Sequence, residues 1–171
     1  ARAQMSRRLA KLGDAPHRLI SQLARDVVAV ARPILQQSGV LSDADLVDIV
    51  GSMGKEHQLA ISQRESLSAA VGNALVERGD DEVLESLVCN SGAALSRQAM
   101  ETLVARSESL ERLHRPLLAR NDLPPDLMHE MFWSVSAALK RHILTKTQVN
   151  EAQVDAALRE IESRFTQEQV S

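Results

Sequence analysis

The sequence has no tyrosine, one tryptophan and two phenylalanines, so only 2% of its 171 residues are aromatic. Phe132, Trp133 and Phe165 all lie beyond residue 130. Proteins that stack the bases of single-stranded nucleic acid need several aromatic faces along a groove, and this chain cannot supply them. Its one cysteine, Cys89, excludes an internal disulfide and a cysteine-based zinc site. With no base or cluster beside it in the sequence, Cys89 reads as a buried structural thiol. No apolar run reaches the roughly 18 residues that a membrane-spanning helix requires.

What remains is aliphatic. Apolar residues make up 44% of the chain, nearly all of them Leu, Val, Ile and Ala, which suits helices packed by aliphatic ridges. A chain of this length buries roughly 70% of its unfolded surface, enough for a self-sufficient core. The net charge of −3 is small but unevenly spread. Residues 1–32 hold seven basic groups against two acidic ones, and residues 33–90 hold three against ten. Such a pattern either orients a partner or steers self-association, or is a solvated surface with uneven charge. The opening residues lack an apolar core and an initiating Met, so they read as an internal start and not as a signal peptide. The expected location is cytoplasmic.

Helix starts recur at a fixed spacing. Leu41-Ser42, Leu67-Ser68, Leu95-Ser96 and Leu123-Pro124 each precede an apolar-periodic stretch. Serine is a favoured N-cap because its oxygen accepts from an orphan backbone N–H. Proline suits a helix mouth, where its missing N–H had no partner to lose. Ser42 and Asp45 approximate a capping box, with Asp in place of the longer Glu. Eight and nine positions after each leucine stands an apolar pair: Ile49-Val50, Leu75-Val76, Leu103-Val104 and Met131-Phe132. A second, shorter helix follows each first one, marked by Leu59 and Ile61, by Val83, Leu84, Leu87 and Val88, and by Leu110, Leu113, Leu117 and Leu118. An earlier partial copy spans residues 16–38, where Arg32-Pro33 echoes Arg115-Pro116 and both prolines read as kinks in second helices. Helix pairs at this period predict an all-α fold, a HEAT-like α-solenoid in which neighbouring pairs stack into one core. An irregular bundle is the competing reading.

The last two helical patterns differ from the repeats. In residues 124–144, Leu127, Met128, Met131, Phe132, Val135, Leu139 and His142 share one face, the expected core face. Trp133, Ala137 and Leu144 fall on the far side, near His129 and Lys140. Asn150 predicts the N-cap of a final helix, with Gln153 placed for a capping box. Val154, Leu158, Ile161 and Phe165 then form a narrow apolar stripe, while Asp155–Arg159 and Glu160–Arg164 set acid before base one turn apart. Either this stripe caps the Trp133 strip of the same chain, or it pairs with another molecule. The expected division is a repeat domain over 1–144 and a capping or assembly helix over 145–171.

Chemistry-bearing constellations are not found. No two of the five histidines stand three or four apart, and His129-Glu130 lacks the second histidine of a zinc-protease helix. Gly51, Gly54 and Lys55 do not have phosphate-loop spacing, and no Gly-x-Ser-x-Gly elbow occurs. The reading is a protein that is not an enzyme, with no catalytic residue, cofactor site or metal site. Arg64 and Arg120 stand three residues before Leu67 and Leu123, and Asn90 occupies the equivalent turn. Either they tie the last carbonyls of one repeat to the next, or they form a ladder that binds anions or peptides. Nucleic acid is not the expected partner, because the acidic stretch 33–90 opposes it and only the N-terminal arm would help.

Four segments carry a family resemblance: Leu59 to Arg64, Leu75 to Asp80, Val88 to Ala93 and Leu118 to Pro124. Over residues 20–143 the chain resembles the alphaproteobacterial proteins grouped as domain of unknown function 2336. The resemblance implies an all-helical, HEAT-like, cytosolic bacterial domain, and it carries over no catalytic residue. It also implies longer relatives, with residues 145–171 a truncated or divergent end. The expected function is a non-catalytic interaction module for an unidentified protein partner. The alternative is a homo-oligomer assembled through the last helix, and a lesser one is a DNA-binding repeat protein.

Overall fold

Local capping chemistry starts the helices. In the computed structural model, which describes residues 2–146 and 151–168, Ser42 Oγ accepts the Asp45 N–H at 3.2 Å while Asp45 Oδ2 accepts the Ser42 N–H at 2.8 Å. This reciprocal capping box opens α4 (Asp43–Ser52). Ser68 caps α6 (Ala69–Arg78) through the Val71 N–H, and Ser96 caps α8 (Arg97–Ser107) through the Ala99 N–H. Asp80 caps α7 (Asp81–Cys89) by accepting from Glu82 and Val83. The remaining helices are α1 (Arg2–Leu9), α2 (His17–Ala24), α3 (Val28–Gln37), α5 (Lys55–Ser62), α9 (His114–Leu118), α10 (Pro125–Lys146) and α11 (Glu151–Glu168). A 3-10 turn, Glu111–Leu113, precedes α9. Among the described residues the chain is all-helical, with one isolated backbone bridge between Leu67 and Ala93.

The apolar pairs lie inside. Ile49, Val50, Leu75, Val76, Leu103 and Val104 are buried, as is Met131, with Phe132 half-buried. Burying each such side chain contributes about 1.5–3 kcal/mol, which is what holds short helices that would not persist alone. Several helices meet the one two places on. One row runs α1 on α3, α3 on α5, α5 on α7 and α7 on α9, and another runs α4 on α6 and α6 on α8. Within pairs, α2 packs on α3, α4 on α5 and α6 on α7.

Between α5 and α6 the backbone comes unusually close to the segment after α7. The Leu67 N–H donates to Gly92 at 3.1 Å, and the Ala94 N–H donates to Leu67 at 2.9 Å. A Cβ at position 92 would sit 1.9 Å from the Glu65 carbonyl oxygen, so only glycine fits there.

Some expectations need correction. Pro33 does lie inside α3, but Pro116 sits in the first turn of α9, where it displaces no helical bond. Leu139 and His142, expected on the core face of α10, are exposed; among the described side chains of this helix, Leu127, Met131 and Ser136 are buried. The chain forms two compact units, Ala1–Pro124 and Pro125–Ser171, so α10 groups with α11.

Candidate functional site

The residues singled out before each helix start form a connected hydrogen-bond ladder. Arg64, just past α5, donates from Nη1 to the Leu35 carbonyl at 2.5 Å and from Nη2 to the Ser38 carbonyl at 2.9 Å. These carbonyls are at the end of α3, where the last turn of a helix has no partners of its own. Asn90, the C-cap of α7, donates from Nδ2 to the carbonyls of Ser62 and Arg64 at 2.8 and 2.7 Å, at the end of α5. Arg120, after α9, donates to Val88 and Asn90 from Nη1 and to Ala93 from Nη2, at 3.3, 3.0 and 2.8 Å. Each of the three thus reaches back one helix pair to the carbonyls its predecessor leaves open.

Charge is handled differently at the two arginines. The side chain of Arg120 is 5% exposed, and Asp122 meets it in a fork, accepting from Nε and Nη2 at 2.8 Å each. That contact holds the Asp122 carboxyl below its usual pKa. Arg64 is half-buried, and desolvation lowers its pKa, partly opposed by the charge of Asp43. Asp122 carries no signal in the sequence beyond standing two residues after Arg120. A cavity of about 500 Å³ adjoins this end of the ladder, lined by Cys89, Arg115, Arg120 and Asp122 among others. Cys89 is exposed there, against the expectation of a buried thiol. It is the final residue of α7, one step beyond the buried stripe of Val83, Leu84, Leu87 and Val88.

Part of the uneven charge of the sequence is met inside the first unit. Arg2 pairs with Asp26 at 2.9 Å, His17 meets Asp45 at 2.9 Å, Arg25 pairs with Asp48 at 2.6 Å, and Arg32 reaches Glu56 at 3.5 Å. Basic groups of the N-terminal stretch therefore face acids one helix pair further on. Lys55 continues the pattern with Asp80 and Glu82, at 3.1 and 2.7 Å. Exposed pairs of this kind contribute about 0–1 kcal/mol each, so their main effect is to fix register.

The second unit carries the apolar surface. Trp133 is 51% exposed; its Nε1–H donates to His129 Nε2 at 3.0 Å, and its ring meets those of His129 and Phe132 edge-on. Beside it, α11 packs on α10 around a cleft of about 300 Å³ lined by Trp133, Ala137 and Leu158. Ala137 is exposed, Leu158 is half-buried and Ile161 is 53% exposed. Asp155, expected to face Arg159, pairs with Lys140 of α10 at 2.7 Å. The side chains of Leu144, Val154, Phe165 and Gln153, and the predicted cap Asn150, lie outside the described residues. Among the described residues no group of three His, Cys, Asp or Glu is placed to hold a metal, and no helix is long and apolar enough to cross a membrane.

Fold and surfaces together define an all-helical protein: a first unit of helix pairs tied by carbonyl-capping side chains, and a two-helix unit bearing exposed apolar groups. The chain belongs to the domain of unknown function 2336 family, described as an uncharacterised protein conserved in bacteria, which it matches over residues 30–171. The match extends through α11, so the C-terminal segment is part of the family pattern and not a divergent end. No curated protein and no solved structure matches the chain.

Proposed function

We propose that the protein is a non-catalytic, cytoplasmic interaction module, a HEAT-like helical-repeat scaffold that binds another protein through the exposed apolar surface of the α10–α11 unit. The observation that carries this reading is the exposure of Trp133 and Ile161 to 51% and 53%. Leu139, about 120° around α10 from Trp133, is a further large apolar group, 49% exposed. Half-exposed tryptophan is the side chain most often found anchoring a protein interface, where burial of its ring supplies most of the contact energy. Charged groups including Lys140 and Asp155 flank it, as a polar rim flanks an interface core. The repeat-scaffold part is supported by the two rows of packing, α1 through α9 by odd helices and α4 through α8 by even ones.

A second reading, assembly of like chains through the same surface, is favoured by the apolar exposure on both helices of the unit, since a self-complementary patch closes a two-fold dimer. Light scattering across a concentration series separates the two. The adaptor reading expects a monomer that retains one defined bacterial protein, and loses it in Trp133→Ala and Ile161→Asp variants whose thermal melts are unchanged. A dimer that Ile161→Asp converts to monomer selects assembly instead. A monomer whose captured proteins are unaffected by either substitution overturns both.

A further inference from the structure

Four cations of the N-terminal stretch, Arg7, Arg8, Lys11 and Arg18, stand outside the ion-pair pattern, and the first three share one cleft. Arg7 and Arg8 in the last turn of α1, with Lys11 just beyond it, line a cavity of about 470 Å³ whose other wall is α3, with Arg32, Gln36 and Gln37. The neighbouring cations Arg2 and Arg25 are neutralised by Asp26 and Asp48. Arg7, Arg8 and Lys11 make no ion pair among the described residues, and no acid lines the cleft. Arg32 has only the 3.5 Å contact with Glu56, both partners being half-exposed or more. The Gln36 amide is oriented by donating to Gln63 at 2.8 Å.

Guanidinium forks and an ammonium converging on one concavity, with neutral amides and no carboxylate, form the donor set that recognises phosphate oxygens. The size falls within the range of small-ligand pockets, roughly 300–1,000 Å³. No aromatic residue occurs before Phe132, so the cleft offers no ring on which a nucleobase could stack. We propose that the cleft between α1 and α3 binds a small oligophosphate through Arg7, Arg8, Lys11 and Arg32. The ligand is held by its phosphates alone, and it competes with Glu56 for Arg32. The inference is independent of the interaction surface on α10 and α11. A purely structural role, in which Arg7 and Arg8 complement the negative end of α1, gives stability but no saturable site.

The test is isothermal titration of the full chain with inorganic tripolyphosphate. Saturable one-to-one binding is expected, weakened about threefold to tenfold by each of Arg7→Ala, Arg8→Ala and Lys11→Ala. Arg18→Ala, an exposed cation outside the cleft, leaves the affinity unchanged. Glu56→Gln frees Arg32 and tightens binding, a gain that a misfolded variant cannot produce. ATP binds no tighter than tripolyphosphate. Vesicles of phosphatidic acid in phosphatidylcholine distinguish the source: retention on them, reversed by tripolyphosphate, assigns a lipid headgroup, and no retention assigns a free oligophosphate. Absence of saturable binding, equal loss in Arg18→Ala, vesicle retention that tripolyphosphate does not reverse, or tighter binding of duplex DNA overturns the proposal.

Discussion

The side-chain amide of Asn90 donates to the Arg64 carbonyl at 2.7 Å, while the carbonyl of Asn90 itself accepts from Arg120 at 3.0 Å. Asn90 is therefore the middle rung that joins three successive helix ends. Its Nδ2 also serves Ser62, and its Oδ1 accepts the Gly92 N–H at 2.9 Å, fixing the turn that follows α7. Asn90→Ala leaves two part-buried carbonyls without this donor and frees the turn, at a cost of about 2 kcal/mol. Asn90→Asp is expected to be worse, because a carboxylate of the same shape then faces those two carbonyls and cannot donate. Urea denaturation ranks the variants; an Asn90→Asp protein as stable as the Ala variant would show that the amide donor is not what matters.

The connection pattern makes a statement about coupling. Asn90 shares a hydrogen bond with Arg64 on one side and with Arg120 on the other, whereas Arg64 and Arg120 touch different carbonyls. Double-mutant cycles of Asn90→Ala with either Arg64→Ala or Arg120→Ala should give coupling energies of about 0.5–2 kcal/mol. The Arg64→Ala and Arg120→Ala pair should add to within about 0.5 kcal/mol. Strong coupling between the two arginines would mean that strain passes through the helices and not along the ladder.

Much of this architecture was legible because it is written locally. A serine cap acts on the N–H three residues on, so Ser42, Ser68 and Ser96 announce their helices without any tertiary information. The paired apolar residues after each cap are equally local, and they lie in the core. Helix α1 carries no such local signal, because the residue it buries is Ser6, whose hydroxyl donates to the Val30 carbonyl. Nothing in the sequence around Ser6 names a partner 24 residues away. The same limit applies to the ladder: Arg64, Asn90 and Arg120 stand out by their recurrence, but the carbonyls they serve lie 26 to 32 residues back. It applies to His57 and Gln58, polar residues buried in α5 because they reach the carbonyls of Asp26 and Val50. Exposure of Cys89 and Leu139 depends on where a helix leaves its neighbours, and periodicity alone does not give that position.

Gly92 is the position where a single methyl group should do most damage. Its missing Cβ would lie 1.9 Å from the Glu65 carbonyl oxygen and 3.0 Å from the carbon that bears it, and both are backbone atoms. They cannot rotate away as a side chain would. Gly92→Ala therefore forces apart the Leu67–Ala93 bridge and costs about 3 kcal/mol or more. By contrast, Gly54→Ala has nothing within 4 Å of the new methyl and serves as the control. Thermal melts of the two variants check this directly: equal midpoints would refute the close approach at residue 92.

Acid stability should be governed by carboxylates that the fold holds ionised. In Asp45 the pKa falls to about 2, chiefly through the contact with His17 and next through the Ser42 hydroxyl, which donates to Asp45 Oδ2 at 2.6 Å. Asp26, Asp80 and Asp122 are lowered as well, the first two mainly by backbone N–H donors and the third by Arg120. A depressed carboxylate pKa means that the unfolded chain takes up protons first as pH falls. Its stabilisation is complete above the ordinary value of 3.8 and is lost as pH drops toward 2. Because the Asp45 side chain is still 21% exposed, its share is discounted to about 1 kcal/mol. Carboxyl-detected NMR titration tests the cause as well as the shift. His17→Ala should raise the Asp45 pKa further than Ser42→Ala does, although Ser42→Ala also removes the α4 cap and costs about 1 kcal/mol at neutral pH. An Asp45 carboxyl that titrates near 3.8 in the unaltered protein would remove both the His17 contact and the capping box from the account of acid unfolding.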